Sequence, residues 1–118
     1  MPRALEGIRI LDLTHMLSGP YGGMILADLG ADTIKVEPLD GEKTRGLLAN
    51  DPNNSIDGFG AYFLALNRNK KSVAIDLKTE TGRGVFYDLV KECDVVLENF
   101  SAGVVNKLRI DFDTLREI

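Results

Sequence analysis

The strongest constraint on the fold of this chain is a strand–helix–strand pattern near its start. IRILDLT (Ile8–Thr14) opens with alternating apolar and polar residues and is rich in branched side chains, as a strand is, and DTIKVE (Asp32–Glu37) reads as a second strand. Between them, PYGGMILADL (Pro20–Leu29) is apolar on most sides and reads as a buried helix. Ser18 is available as its cap, Pro20 stands near the first turn where a missing N–H is harmless, and Gly30 serves as a stop. Two strands joined through a helix are expected to run parallel in one sheet. The architecture therefore begins as a Rossmann-like α/β sheet.

The rest of the chain extends that pattern. Pro38 to Gly60 is rich in Gly, Pro, Asn and Asp, has no sustained period, and reads as a long loop of the kind that is functional or mobile. AYFLALNRNKKS gives a short apolar turn followed by Arg68, Lys70 and Lys71, and VAIDL (Val73–Leu77) reads as a third strand. In TETGRGVFYDLVKEC, helical spacing puts Val85, Phe86, Leu89, Val90 and Cys93 on one face, with Thr79 or Thr81 as the cap. DVVLENF (Asp94–Phe100) is a fourth strand, GVVNKL a helical turn, and DFDTLREI a capped helix start. The expectation is a mainly parallel Rossmann-like sheet with flanking helices, incomplete at four strands.

With 118 residues the chain suits one globular domain, and a net charge of −4 provides no basic field to draw in nucleic acid. Glu6, Arg9 and Asp12 interrupt the apolar residues at the N-terminus, so neither a signal-peptide core nor a spanning helix fits there. The one cysteine, Cys93, has no partner for an internal disulfide and reads as a small core hydrophobe. The expected location is the cytoplasm, with no membrane partner.

The loop LTHMLSGPYGGM (Leu13–Met24) follows the first strand, where dinucleotide folds bind a pyrophosphate, and Glu37 stands where such folds place a ribose-binding carboxylate. The glycines, however, are Gly19, Gly22 and Gly23 rather than Gly-x-Gly-x-x-Gly, and Pro20 removes a donor that a phosphate needs. No Gly-Lys-Ser/Thr follows, so a Walker-type loop fails as well.

Three strings in order and spacing, LEGIRILDLTHMLSGPYGGMILADLGADTIKVEP, NRNKKSVAIDLKTETGRG and DVVLENFSAGVVNKL, resemble the N-terminal part of the class III CoA-transferases, the family of formyl-CoA and carnitine CoA-transferases. The likeness covers nearly the whole chain, residues 1–118, as the N-terminal portion of a CoA-binding domain whose remainder is absent. The related α-methylacyl-CoA racemases share the architecture, and Glu98–Phe100 is more similar to the transferases.

The resemblance implies a set of residues lining the site of coenzyme A, which acts as a co-substrate; it implies no permanently bound cofactor and no metal. His15, Leu17 and Ser18 fall on the loop that forms the CoA and active-site surface, with Gly19 allowing close backbone approach. Formyl-CoA transferases carry Gln at the position of Leu17, which speaks against a formyl or oxalyl substrate. Pro38 stands where some members place an arginine near the adenine. Ile75, Asp76, Leu77 and Lys78 correspond to an adenosine-binding segment, and Asn99, Phe100 and Ser101 to residues along the same ligand. Lys107 occupies a position where an arginine often meets the CoA phosphates, keeping the charge without the bidentate fork.

The implied reaction moves CoA from an acyl-CoA to a small carboxylic acid through an aspartyl intermediate. The implied nucleophile lies beyond Ile118, so this chain alone is expected to be inactive, and the full-length protein is expected to form an interlocked homodimer. Each residue also has a plainer reading. His15 reads as a hydrogen-bonded structural residue, Asn99 as a turn former, Phe100 as core, and Lys78 and Lys107 as surface lysines. Arg68, Lys70 and Lys71 read as a solvated face, and Asp12 and Asp32 as structural. A racemase-like CoA enzyme and a non-catalytic Rossmann-like module, binding for example NAD, stay open as alternatives.

Overall fold

The computed structural model describes all of residues 1–118. Four strands form one parallel sheet: β1 (Arg9–Asp12), β2 (Asp32–Glu37), β5 (Lys70–Ala74) and β6 (Val95–Leu97), in the order β5-β2-β1-β6. A small antiparallel hairpin, β3 (Ser55–Ile56) and β4 (Phe59–Gly60), lies apart from it. The helices are α1 (Ser18–Asp28), α2 (Ala61–Leu66), α3 (Glu80–Lys91), α4 (Val104–Leu108) and α5 (Phe112–Arg116), with a 3-10 turn at Lys43–Gly46. This is the parallel α/β arrangement expected from the strand–helix–strand pattern.

The strands are shorter than the apolar runs suggest, and polar side chains end them. β1 stops at Asp12 because its carboxylate turns back to accept from the Thr14 N–H at 2.9 Å. β6 stops before Glu98, which accepts from the Phe100 N–H at 2.8 Å. The third strand is displaced from the expected Val73–Leu77. Its pairing with β2 begins at Thr33 opposite Lys70 and ends at Glu37 opposite Ala74, after which Asp76 accepts from the Lys78 N–H at 3.0 Å and turns the chain. Ile75–Lys78 therefore lie just past the strand, on a turn.

The two faces of the sheet differ in chemistry because successive side chains alternate. Leu11, Leu13, Val36 and Ile75 face α3 and bury Phe86 completely, with Leu89, Val90 and Cys93 packed around them. Val85 is 49% exposed, so the apolar face of α3 is narrower than its spacing suggests. Thr79, not Thr81, caps this helix, accepting from the Gly82 N–H at 3.0 Å.

The opposite face carries Asp12 and Lys35 beneath α1. Pro20, Gly23, Met24 and Ala27 of α1 are buried against it. A Cβ at Gly23 would collide with the Asp12 carboxylate, so the helix approaches this closely only because Gly23 has none. Ser18 does not cap α1: Leu17 takes the N-cap position, with no side-chain bond, and Ser18 is the first helical residue. The helix is also not buried all round, since Tyr21, Ile25 and Leu29 are exposed on its outer side.

Lys70 reverses the reading of its basic cluster. Its side chain is 2% exposed and its ammonium donates to Asp12 at 2.7 Å, the Pro20 carbonyl at 2.9 Å and the Asn67 amide oxygen at 3.0 Å. Arg68 and Lys71 stay at the surface, paired with Asp28 and Asp32. Lys35 is also buried; its ammonium donates to the Thr14 carbonyl at 2.8 Å, and burial lowers its pKa. All three donor sites of Lys70 are thus used, which offsets the desolvation of a charge in a low-dielectric setting.

Candidate functional site

A cleft of about 520 Å³ opens at the carboxyl ends of the parallel strands. That is where α/β sheets present loops to ligands, because the helices that follow each strand leave the turns facing one edge. Leu13–Met16 follow β1, Val36–Pro38 close β2, Ile75–Lys78 follow β5, and Phe100 follows β6. Glu42, Lys43 and Leu108 complete the lining.

Of the residues singled out from the sequence, His15, Pro38, Ile75, Asp76, Leu77, Lys78 and Phe100 line this cleft. Leu17, Ser18, Gly19, Asn99, Ser101 and Lys107 do not. Leu17 and Ser18 are exposed at the start of α1, Ser101 is exposed beyond Phe100, and Lys107 is exposed on α4 next to the lining residue Leu108.

Asn99 and Gly19 act inside the loop structure. The Asn99 amide oxygen accepts from the His15 N–H at 3.0 Å, and its amide nitrogen donates to the His15 carbonyl at 2.9 Å. A Cβ at Gly19 would meet the Thr14 side chain and lie 2.9 Å from the same Asn99 nitrogen. Gly19 therefore makes room for Asn99 to reach the His15 backbone. The His15 ring, held by that backbone, lies 5.4 Å from the Phe100 ring at a tilt of 44°, so the two form one aromatic wall of the cleft.

The long loop from Pro38 to Gly60 is tied to the sheet by a polar cluster absent from the sequence reading. Arg45 forks the Glu37 carboxylate at 2.6 and 2.7 Å and lies 4.1 Å above the Phe63 ring. Ser72 donates to Glu37 at 2.6 Å and the Glu42 N–H donates to it at 2.8 Å. Burial alone would raise the Glu37 pKa, but these donors outweigh it and hold the carboxylate down at about 2. Glu37 is thus committed to the protein and has no free oxygen for a ribose hydroxyl.

Glu42 extends this cluster to the first loop. Its carboxylate accepts from the Thr44 N–H and hydroxyl and from the Met16 N–H at 3.3 Å. Met16 has φ of 70°, a left-handed conformation that is unfavourable for a residue with a side chain and persists where neighbours hold it. His15 and Met16 are consequently gripped from both sides, by Asn99 and by Glu42. The signal in the sequence was weak, because Glu42–Met16, Glu37–Ser72 and Asn99–His15 pair across 26, 35 and 84 residues, and the nearer Arg45 lies in a loop with no period to orient it.

Cys93 lies outside the cleft, packed against the core, where burial pushes its thiol pKa up. No group of three or more His, Cys, Asp or Glu side chains is placed to hold a metal ion. No helix is long and apolar enough to cross a membrane.

Comparison with known proteins agrees with this architecture. The family model for CoA-transferase family III matches residues 5–118. The chain is 43% identical over 118 residues to a formyl-CoA:oxalate CoA-transferase of Streptomyces avermitilis, covering all of this chain and 28% of that protein. It is 44% identical over 114 residues to a succinyl-CoA:mesaconate CoA-transferase of Haloarcula hispanica, covering 97% of this chain and 29% of that one. Among solved structures, a CAIB/BAIF family protein from Brucella suis superposes with a TM-score of 0.88 at 40% identity, over 99% of this chain and 31% of that chain. The protein Rv3272 from Mycobacterium tuberculosis superposes with a TM-score of 0.86 at 41% identity, over 98% of this chain and 30% of that chain. The chain thus spans less than a third of the length of these relatives, and over that span it belongs to CoA-transferase family III.

Proposed function

We propose that residues 1–118 form the N-terminal portion of a Rossmann-like CoA-binding domain, in an enzyme that moves CoA between an acyl-CoA thioester and a small carboxylic acid. The observation that carries this reading is the cleft at the carboxyl ends of the parallel strands, in a chain that matches the family over residues 5–118. A CoA nucleotide needs an apolar slot flanked by cations. Leu77, Ile75 and Phe100 provide the first and Lys78 the second, while Lys107 stands exposed on α4 beside the lining residue Leu108.

Within this reading Ile75, Asp76, Leu77 and Lys78 take the adenosine, with Pro38 closing that end. His15 and Phe100 border the path of the thioester arm, and exposed Leu17, Ser18 and Ser101 meet its reacting end. Asn99 and Gly19 serve the site indirectly, by setting the His15 backbone. The two transferase relatives are named for different acids, so family membership alone does not select the substrate. Leu17, an apolar side chain where formyl-CoA transferases carry Gln, disfavours formyl or oxalyl groups.

The reaction proceeds by covalent catalysis on an aspartate outside these residues. Its carboxylate attacks the donor thioester carbonyl, releasing CoA thiolate and leaving a mixed anhydride. The thiolate then attacks the aspartyl carbonyl, which releases the donor acid and forms an aspartyl-CoA thioester. The acceptor carboxylate attacks this thioester, and the freed thiolate takes the acyl group from the resulting anhydride, restoring the aspartate. The cleft-side carboxylates of this chain are otherwise engaged. Arg45 forks Glu37, Glu42 accepts from the Met16 and Thr44 N–H groups, and Asp76 holds the Lys78 N–H. The chain alone is therefore inactive.

The full-length protein is an interlocked homodimer working in the cytoplasm. The exposed Tyr21, Ile25 and Leu29 on α1 support further chain or a second copy lying there. Full-length protein incubated with an acyl-CoA and a labelled carboxylic acid tests the activity. Label entering the thioester pool supports transfer. Inversion of a 2-methyl centre without transfer would replace this reading with racemisation, and binding of NAD without CoA would replace it with a nucleotide-binding module.

A further inference from the structure

The tied segment after β2 presents one side chain that the polar cluster does not use. Glu42 N–H is bonded to Glu37, Thr44 is bonded to Glu42, and Arg45 is forked on Glu37 and stacked over Phe63. Lys43 sits in the middle of this run, in the 3-10 turn, so its backbone is fixed by its neighbours on both sides. Its side chain is exposed, lines the cleft, and makes no ion pair or hydrogen bond with another side chain. Lys78 lines the same cleft from a different element and is also free of any carboxylate. Val36, Ile75 and Leu77 provide apolar lining alongside these two cations.

We propose that Lys43 is a phosphate-binding residue of this cleft, meeting a phosphate of the bound CoA nucleotide together with Lys78 while the apolar lining takes the uncharged parts of the ligand. This rests on the reading that the cleft binds CoA. The acidic residues nearby pair with neither lysine side chain. Glu37 is paired with Arg45. Glu42 and Asp76 keep their charges, but their carboxylates are turned to N–H groups of the protein, Glu42 to those of Met16 and Thr44 and Asp76 to that of Lys78. A cation on an immobilised turn loses less freedom on binding than one on a loose loop, so the position suits a binding role.

The test is calorimetric titration of the full-length protein with CoA and with pantetheine, which lacks the phosphates. The variants are K43A, K43R and, as a distant control, K91A. Loss of one charge-assisted contact is expected to weaken CoA binding by about 10- to 150-fold in K43A. Pantetheine binding should stay unchanged, K43R should recover most of the loss, and K91A should match the wild type. The dependence of CoA affinity on salt should also become shallower in K43A. If the wild type binds CoA and K43A binds it within about twofold as well, the assignment of Lys43 is wrong. A parallel loss of pantetheine binding would mean that the residue acts on the fold, and would equally overturn it. If the wild type binds no CoA, the reading of the cleft falls and this assignment falls with it.

Discussion

Asn99 grips the His15 backbone at both polar groups, accepting from its N–H at 3.0 Å and donating to its carbonyl at 2.9 Å. This pair joins the loop after β6 to the loop after β1, across 84 residues of sequence, at the mouth of the cleft. Replacing Asn99 with Ala removes both bonds. Each is worth about 0.5–1.5 kcal/mol, so CoA affinity in the full-length protein should fall by roughly 5- to 100-fold, with a small change in melting temperature. Gly19→Ala should also weaken CoA binding, because its new methyl group would collide with the Thr14 side chain and crowd the Asn99 amide. The double variant should lose less than the sum of the two, measured by titration as a coupling energy.

Lys70→Met should be strongly destabilising, because this lysine is buried. It leaves Asp12 buried with no counter-charge, a loss of about 3–5 kcal/mol that urea unfolding would register. Adding Asp12→Asn should restore part of that stability, because the charge that needed a partner is gone. A Lys71→Met variant should stay within about 0.5 kcal/mol of the wild type, since exposed pairs contribute little.

That contrast shows where sequence reasoning reached and where it stopped. The parallel strand–helix–strand unit was legible because apolar periodicity and the helix stop at Gly30 are local signals. The partition of Arg68, Lys70 and Lys71 was not, since all three read alike until the register with β2 is known. Once Lys70 pairs opposite Thr33, alternation sends it inward and Lys71 outward to Asp32. Asn99 was singled out only through the family resemblance, and its partner is remote, so its role as a clamp on His15 was invisible. Glu37 resembled a ribose ligand for a different reason: Arg45 is only eight residues away, but the loop between them has no period that shows it folding back.

Glu37 also predicts how stability responds to acid. Its folded pKa is about 2, below its ordinary 4.5, so its contribution is present above pH 4.5 and is lost as the pH falls through that value toward 2. Glu37→Gln should flatten the stability curve between those limits. Equilibrium unfolding of both proteins at a series of acid pH values would show it, and equal slopes would count against the Arg45 fork as the cause.

Every role proposed for these residues depends on CoA entering the cleft at the carboxyl ends of the strands. The decisive measurement is calorimetric titration of the full-length protein with CoA and, separately, with NAD. The expected result is saturable binding of CoA, weakened by Asn99→Ala and by raised salt, and no binding of NAD. Saturable NAD binding with no CoA binding would contradict it.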